Sequence, residues 1–225
     1  MIPLRDDNPT RTFPFVTIAL IVLNGLVFVF ELSLGPQIEA AVRRYGVIPY
    51  TITHCTDWSV LKTLVTSLFF HGSLMHIAGN MLYLWIFGNN IEDRLGHFRF
   101  VIFYLLCGVA ATFGHILFAW NSQVPTIGAS GAISGVLGAY LVLFPNARIL
   151  TLLPLLFIMR IVTIDARWFL LFWIFYQILN GSISFSMAQQ AGSAGGVAWF
   201  AHIAGFFAGI LLLSVFLPKR RMRRG

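Results

Sequence analysis

The sequence predicts an all-α integral membrane protein, a bundle of six transmembrane helices. The composition, the spacing of apolar runs and the placement of positive charge carry that prediction. Of 225 residues, 58% are hydrophobic and only 10% are charged, and Phe alone occurs 22 times. Mean hydropathy is +0.82. An ordinary soluble domain carries about 25% charged residues, so this chain has too little charge to cover a water-facing surface. The same composition excludes intrinsic disorder, which combines low hydrophobicity with high net charge.

Six apolar runs follow in order, at 13–30, 74–91, 100–120, 127–144, 168–183 and 197–217. Each approaches the ~20 residues that a helix needs to cross the hydrocarbon. The first exceeds the apolar core of a secretory signal and no small-x-small cleavage site follows it, so it reads as a retained span. The stretch 150–159 is apolar but too short to cross; Pro154 interrupts it and Arg160 ends it, so it reads as an interfacial or folded-back loop. The long segment 32–73 includes an amphipathic stretch around 58–70, expected on or in the outer leaflet. The chain reads as a single membrane domain: a short cytoplasmic N-terminus (1–12), a six-helix core (13–217) and a basic cytoplasmic tail (218–225).

The formal net charge is +7, and its distribution gives the orientation. With both ends inside, the cytoplasmic segments carry Arg5, Arg11, Arg94, Arg99, Arg148, Arg160, Arg167, Lys219, Arg220, Arg221, Arg223 and Arg224, and the opposite side only Arg43, Arg44 and Lys62. Loops 121–126 and 184–196 carry no charge at all. Such a bias supports an even number of spans. The basic tail reads as a topology signal with some attraction to anionic lipid, not as a nucleic-acid site. A short N-terminus with no transit peptide suggests a prokaryotic plasma (inner) membrane.

Polar groups inside spans are costly, so they are the functional candidates. The eight acids are Asp6, Asp7, Glu31, Glu39, Asp57, Glu92, Asp93 and Asp165. None falls in the middle of a span, which removes an aspartyl dyad and an acid-lined proton path. No HExxH is present, and the two cysteines, Cys55 and Cys107, make neither a disulfide framework nor a zinc site. No metal and no cofactor are expected.

Ser130, His202, His76, Asn80 and His115 remain. Ser130 stands between glycines at the start of the fourth span, where the backbone can turn tightly and the free N–H groups of the first turn can hold an oxyanion. Taken alone, Gly128-Ala129-Ser130-Gly131 fits a small-residue packing face at least as well. His202 lies beside a ridge of Ala201, Gly205 and Gly209 on the last span. If the fourth and sixth helices meet by their small faces, His202 reaches Ser130 as the base of a nucleophile–base pair. His76 and Asn80, four residues apart, share one helix face; they suit an oxyanion site or plain interhelical hydrogen bonds.

The ordered set resembles the rhomboid family of intramembrane serine proteases. It comprises His71-Gly72-Ser73-Leu74-Met75-His76-Ile77-Ala78-Gly79-Asn80, then Gly128-Ala129-Ser130-Gly131, then Ala201-His202-Ile203-Ala204-Gly205, on the second, fourth and sixth spans. Gly88-Asn89-Asn90-Ile91-Glu92-Asp93-Arg94-Leu95-Gly96 is similar to the family's GxxxExxxG, in which Glu92 and Arg94 knit helix ends. The resemblance implies a rhomboid-like bundle and a serine endopeptidase. Ser130 would be nucleophile and His202 general base in a dyad without aspartate. The Ser130 N–H, His76 and Asn80 would form the oxyanion hole. The substrates would be transmembrane proteins, locally unwound, cleaved near small or helix-breaking residues. Some members stack an aromatic on the histidine from four residues after the nucleophile; here that position is Ser134. The fifth helix, with Phe172, Trp173 and Phe175, and the uncharged segment 181–196 would gate and cap an aqueous cavity on the outer side. A non-catalytic helix-binding relative, a b-type haem protein using His76, His115 and His202, and a small-solute transporter remain as rival readings.

Overall fold

The computed structural model describes residues 1–155, 158–191 and 198–218. The basic tail from 219 onward lies outside the described residues, as do residues 192–196 of the expected cap. Strand β1 (Ile2–Asp6) opens the chain, followed by the long helix α1 (Phe15–Ser33). Three short helices come next: α2 (Ile38–Tyr45), α3 (Pro49–His54) and α4 (Thr63–Thr66). Then come α5 (Leu74–Tyr83), a π-helical turn (Leu84–Gly88), α6 (Asn89–Leu95), α7 (His97–Ala119) and α8 (Ser130–Leu143). Strands β2 (Arg148–Leu155) and β3 (Ile158–Asp165) precede the last helices, α9 (Ala166–Ala191) and α10 (Trp199–Phe216).

Each of the six apolar runs is helical. Helices α1, α7, α9 and α10 are long and apolar enough to cross a bilayer, and Trp58–Phe69 with Leu74–Leu95 makes a fifth candidate bent by 82°. The amphipathic stretch is therefore the bent partner of the second span. Helix α8 has 14 residues, about 21 Å at 1.5 Å per residue, against a hydrocarbon core of roughly 30 Å. It does not need to cross, because every residue from Gly131 to Tyr140 is buried and the longer helices surround it. At least one of its ends therefore lies within the hydrocarbon depth.

The helical class holds, with one addition. The apolar stretch near 150–159 folds back as expected, but as the β2–β3 hairpin, and the N-terminus pairs with it as a third antiparallel strand. Ile2 faces Leu152, which in turn faces Ile161. The β-branched run Ile161-Val162-Thr163-Ile164 favours a pleated strand. A sheet with open edges is not tolerated against lipid, so this one sits at the bundle end from which α1 starts. The expected plain N-terminal tail is thus a structural strand. The fifth span also runs further than expected: 184–191 continue α9 as helix. Its serines do not break it, because Ser182 and Ser186 donate back to the Ile178 and Ser182 carbonyls at 2.9 and 3.0 Å.

Two polar carboxylates fasten the same end. Glu92, fully buried, accepts from the Val16 and Thr17 N–H groups at 2.9 and 2.8 Å and from the Thr17 hydroxyl at 2.7 Å. These are the orphan donors of the first turn of α1, and His97 Nδ1 lies 2.5 Å from the same carboxylate. Asp93 accepts from the Arg11 and Thr12 N–H groups. The Arg94 guanidinium lies 5.9 Å over the Phe144 ring. Glu92 thus ties the start of α1 to α6.

At the centre, α8 and α10 meet without side chains between them. A Cβ at Gly205 would overlap the Gly131 carbonyl, one at Gly209 the Gly135 carbonyl, and one at Gly138 the Phe206 carbonyl. The obstacles are backbone atoms, which cannot swing aside. Gly209→Ala is therefore expected to push the helices apart and lower stability by about 1–3 kcal/mol, seen as an earlier thermal unfolding midpoint in detergent. Glu92→Ala strands the buried donors of α1 and is expected to cost about 3 kcal/mol in the same measurement.

Candidate active site

Ser130 is the first residue of α8. The turn before it depends on Gly128, whose φ is +125°, a conformation that L side chains rarely adopt. The Gly128 N–H donates to the Ser67 carbonyl at 2.9 Å, which ties the turn to the bent segment before α5. A Cβ at Gly128 would stand 2.7 Å from His76 Nε2, so the imidazole lies directly against this turn. Gly131 is equally constrained: a Cβ there would stand 2.6 Å from that of Ala111.

The close approach of α8 and α10 brings His202 to Ser130. His202 Nε2 is 2.8 Å from Ser130 Oγ, across 72 residues of sequence. The ring's other nitrogen, Nδ1, is 2.8 Å from Gln177 Oε1 on α9. Trp173 and Trp199 flank the ring at centroid distances of 6.1 and 6.3 Å. The Ser134 hydroxyl donates to the Ser130 carbonyl at 2.6 Å.

The α5 residues face the same space. The Ser73 hydroxyl caps the helix by accepting from the His76 N–H at 3.2 Å. His76 and Asn80 both line a cleft of about 1310 Å³ that also includes Ser130, His115, Gln177 and His202. Among the described residues, Asn80 Nδ2 and His115 Nδ1 are buried polar atoms with no partner. Behind Ser130 lies a small cavity of about 30 Å³, with Ser67, Thr112 and Thr126 in its wall. It is large enough for water. On the far side of the bend, the Glu31 carboxylate accepts from the His71 N–H at 3.0 Å, which fixes the entry to α5.

The structure therefore brings together Ser130, His202, His76 and Asn80, with Gly128 and Gly131 shaping the turn. Gly205 acts at the helix contact, and Glu92 and Arg94 lie at the other end of the bundle. Gln177 was missed by the sequence reading. The rule that selected Asn80, a polar group inside an apolar run, applies equally to Gln177 in the fifth run.

The rhomboid-domain profile matches residues 58–219. "Rhomboid protease GluP" of Bacillus subtilis is 29% identical over 137 residues, covering 61% of this chain and 25% of that protein. "Rhomboid protein 1, mitochondrial" of Saccharomyces cerevisiae is 30% identical over 172 residues, covering 72% of this chain and 44% of that protein. "Presenilin-associated rhomboid-like protein, mitochondrial" of Bos taurus is 34% identical over 131 residues, covering 57% and 33%. The chain spans between a quarter and under half of the length of these relatives.

These relatives correct one expectation. The prokaryotic plasma membrane, with termini in a bacterial cytoplasm, is overturned: the yeast and bovine relatives are mitochondrial by name, as is a human one at 33% identity. Charge asymmetry reports which side of a membrane a loop faces, not which membrane it is. The multi-pass membrane character stands on the helices themselves. With the profile covering well over half of the chain, and with the glycine turn, the paired helices and the capped α5 all inside the matched region, the chain belongs to the rhomboid family.

Proposed function

We propose that this chain is an intramembrane serine endopeptidase that hydrolyses peptide bonds in or near transmembrane segments of other membrane proteins. The observation that carries the reading is the 2.8 Å contact between His202 Nε2 and Ser130 Oγ. Membership of a family whose members are generally serine proteases supports it.

In this reading His202 Nε2 takes the Ser130 hydroxyl proton as Oγ attacks the scissile carbonyl carbon. The carbonyl oxygen becomes an oxyanion, held by the Ser130 N–H at the start of α8, by His76 and by Asn80 Nδ2, a buried donor without a protein partner. His202 then gives its proton to the leaving amine, and the C–N bond breaks to leave an acyl-serine. A water, deprotonated by His202, attacks the ester and restores Ser130. The cleft supplies access for that water, and the small cavity behind Ser130 suits a small substrate side chain at the cleavage point. A helical substrate must unwind locally, because its carbonyls are engaged within the helix.

Ser130→Ala and His202→Ala are each expected to reduce cleavage of a single-span substrate by at least about 10³-fold while the protein stays folded. Ser130→Ala should also lose labelling by a fluorophosphonate probe. Undiminished cleavage by Ser130→Ala would overturn the reading; a wild-type protein that takes no label would mark a non-catalytic member of the fold. Asn80→Ala removes one oxyanion donor and is expected to lower kcat on the order of 10²-fold with little change in KM.

A further inference from the structure

We propose that Gln177 is the positioning residue of His202, the third member of a relay drawn from three helices. The proposal rests on the dyad reading above. His202 has two ring nitrogens, and only one tautomer leaves a lone pair on Nε2 to accept the Ser130 proton. That tautomer carries its hydrogen on Nδ1, which needs an acceptor. Among the described residues no carboxylate is within hydrogen-bond distance of Nδ1. Gln177 Oε1 stands 2.8 Å from Nδ1 and takes the part that an aspartate fills in the familiar triad.

The placement of Gln177 is hard to explain otherwise. A carboxamide buried in an apolar bundle is costly unless it is hydrogen-bonded, and Gln177 is only 5% exposed. The residues around it on α9 are Phe, Trp, Ile, Tyr and Leu. Ser134, four residues after Ser130, has its hydroxyl engaged by the Ser130 carbonyl. Trp173 and Trp199 bracket the ring but offer no hydrogen-bond acceptor to Nδ1.

The choice of helix has a consequence. The buried stripe of α9 runs through Phe169, Leu170, Ile174, Gln177 and Gly181, and residues 182–187 are all exposed. Gln177 is the last long side chain of that stripe. Nucleophile and base sit on the glycine-locked pair α8 and α10, whereas the orienting group sits on a neighbour seated mainly through its first half. The bond to Nδ1 therefore makes the readiness of the dyad depend on how α9 is seated.

Two variants test this. Gln177→Met keeps the length of the side chain and removes the acceptor; Gln177→Glu keeps an acceptor and adds charge. Both are compared with wild type and Ser130→Ala for kcat and KM on a single-span substrate and for the rate of fluorophosphonate labelling, each across pH. His76, His115 and Tyr83, the other titratable groups lining the cleft, are unchanged in both variants. Gln177→Met is expected to lower kcat and the labelling rate by roughly tenfold to a hundredfold, with KM within about twofold. Gln177→Glu is expected to retain activity within about tenfold of wild type. It should also move the acid limb of the pH–rate profile upward, because a carboxylate on Nδ1–H favours the imidazolium. A packing role would not produce that shift. Wild-type kcat and labelling in Gln177→Met, or an unmoved acid limb in Gln177→Glu, would overturn the proposal. If Gln177→Met does not purify as a folded protein, the acid limb of Gln177→Glu decides alone. Cleavage by Ser130→Ala would instead sink the dyad reading, so the two failures are distinguishable.

Discussion

Everything at the site depends on the contact between α8 and α10. A Cβ at Gly138 on one helix, or at Gly205 or Gly209 on the other, would run into the partner's backbone, and at Gly131 and Gly135 it would run into Ala111 and Cys107 of α7. Between membrane helices there is little hydrophobic gain from association, so close van der Waals packing supplies the attraction. The same closeness sets the chemistry. Ser130 and His202 have short side chains for a bond that joins two helices, and they meet at 2.8 Å only because the helix axes can approach so far. In the proposed reading, a small-residue packing face and a nucleophile motif are therefore two uses of one surface.

The short central helix follows from the same economy. Surrounded by other helices, α8 need not span the bilayer, and its 14 residues leave room for the glycine turn that carries Ser130. At the end where α1 begins, the free backbone donors are paired with carboxylates, those of Glu92 and Asp93. Strand β1 completes a three-stranded sheet at that end. The low-dielectric interior makes these bonds strong and their loss costly. The unpartnered Asn80 Nδ2 differs from them: it faces the cleft, where a substrate oxygen can meet it.

The two ends of the molecule thus have different physical characters. One end is stitched by carboxylates, backbone amides and a sheet. The other holds the cleft, with histidines, an amide and a serine facing a space of about 1310 Å³. Helix α9 links them. Its first half is seated among buried aromatics, and its second half is largely exposed. Gln177, at the junction, reaches the imidazole.

Much of this was legible in the chain. Scarcity of charge marks the membrane, because the bilayer penalises every ion placed in it. The six apolar runs mark the helices, because each must satisfy its own backbone. The few polar residues within those runs pick out Ser130, His202, His76 and Asn80. The pairing of β1 with β2 was not legible, since strand pairing between residues about 150 positions apart leaves no local periodicity; nor was the continuation of α9, since serines that bond back to their own helix look like loop residues in a sequence. Membership of the site likewise needed the tertiary structure in one case. A glutamine in an apolar run announces only that it needs a partner. Which partner it finds, the Nδ1 of His202, depends on the angle and depth at which α9 packs against α10, and those are properties of three helices together rather than of any one of them.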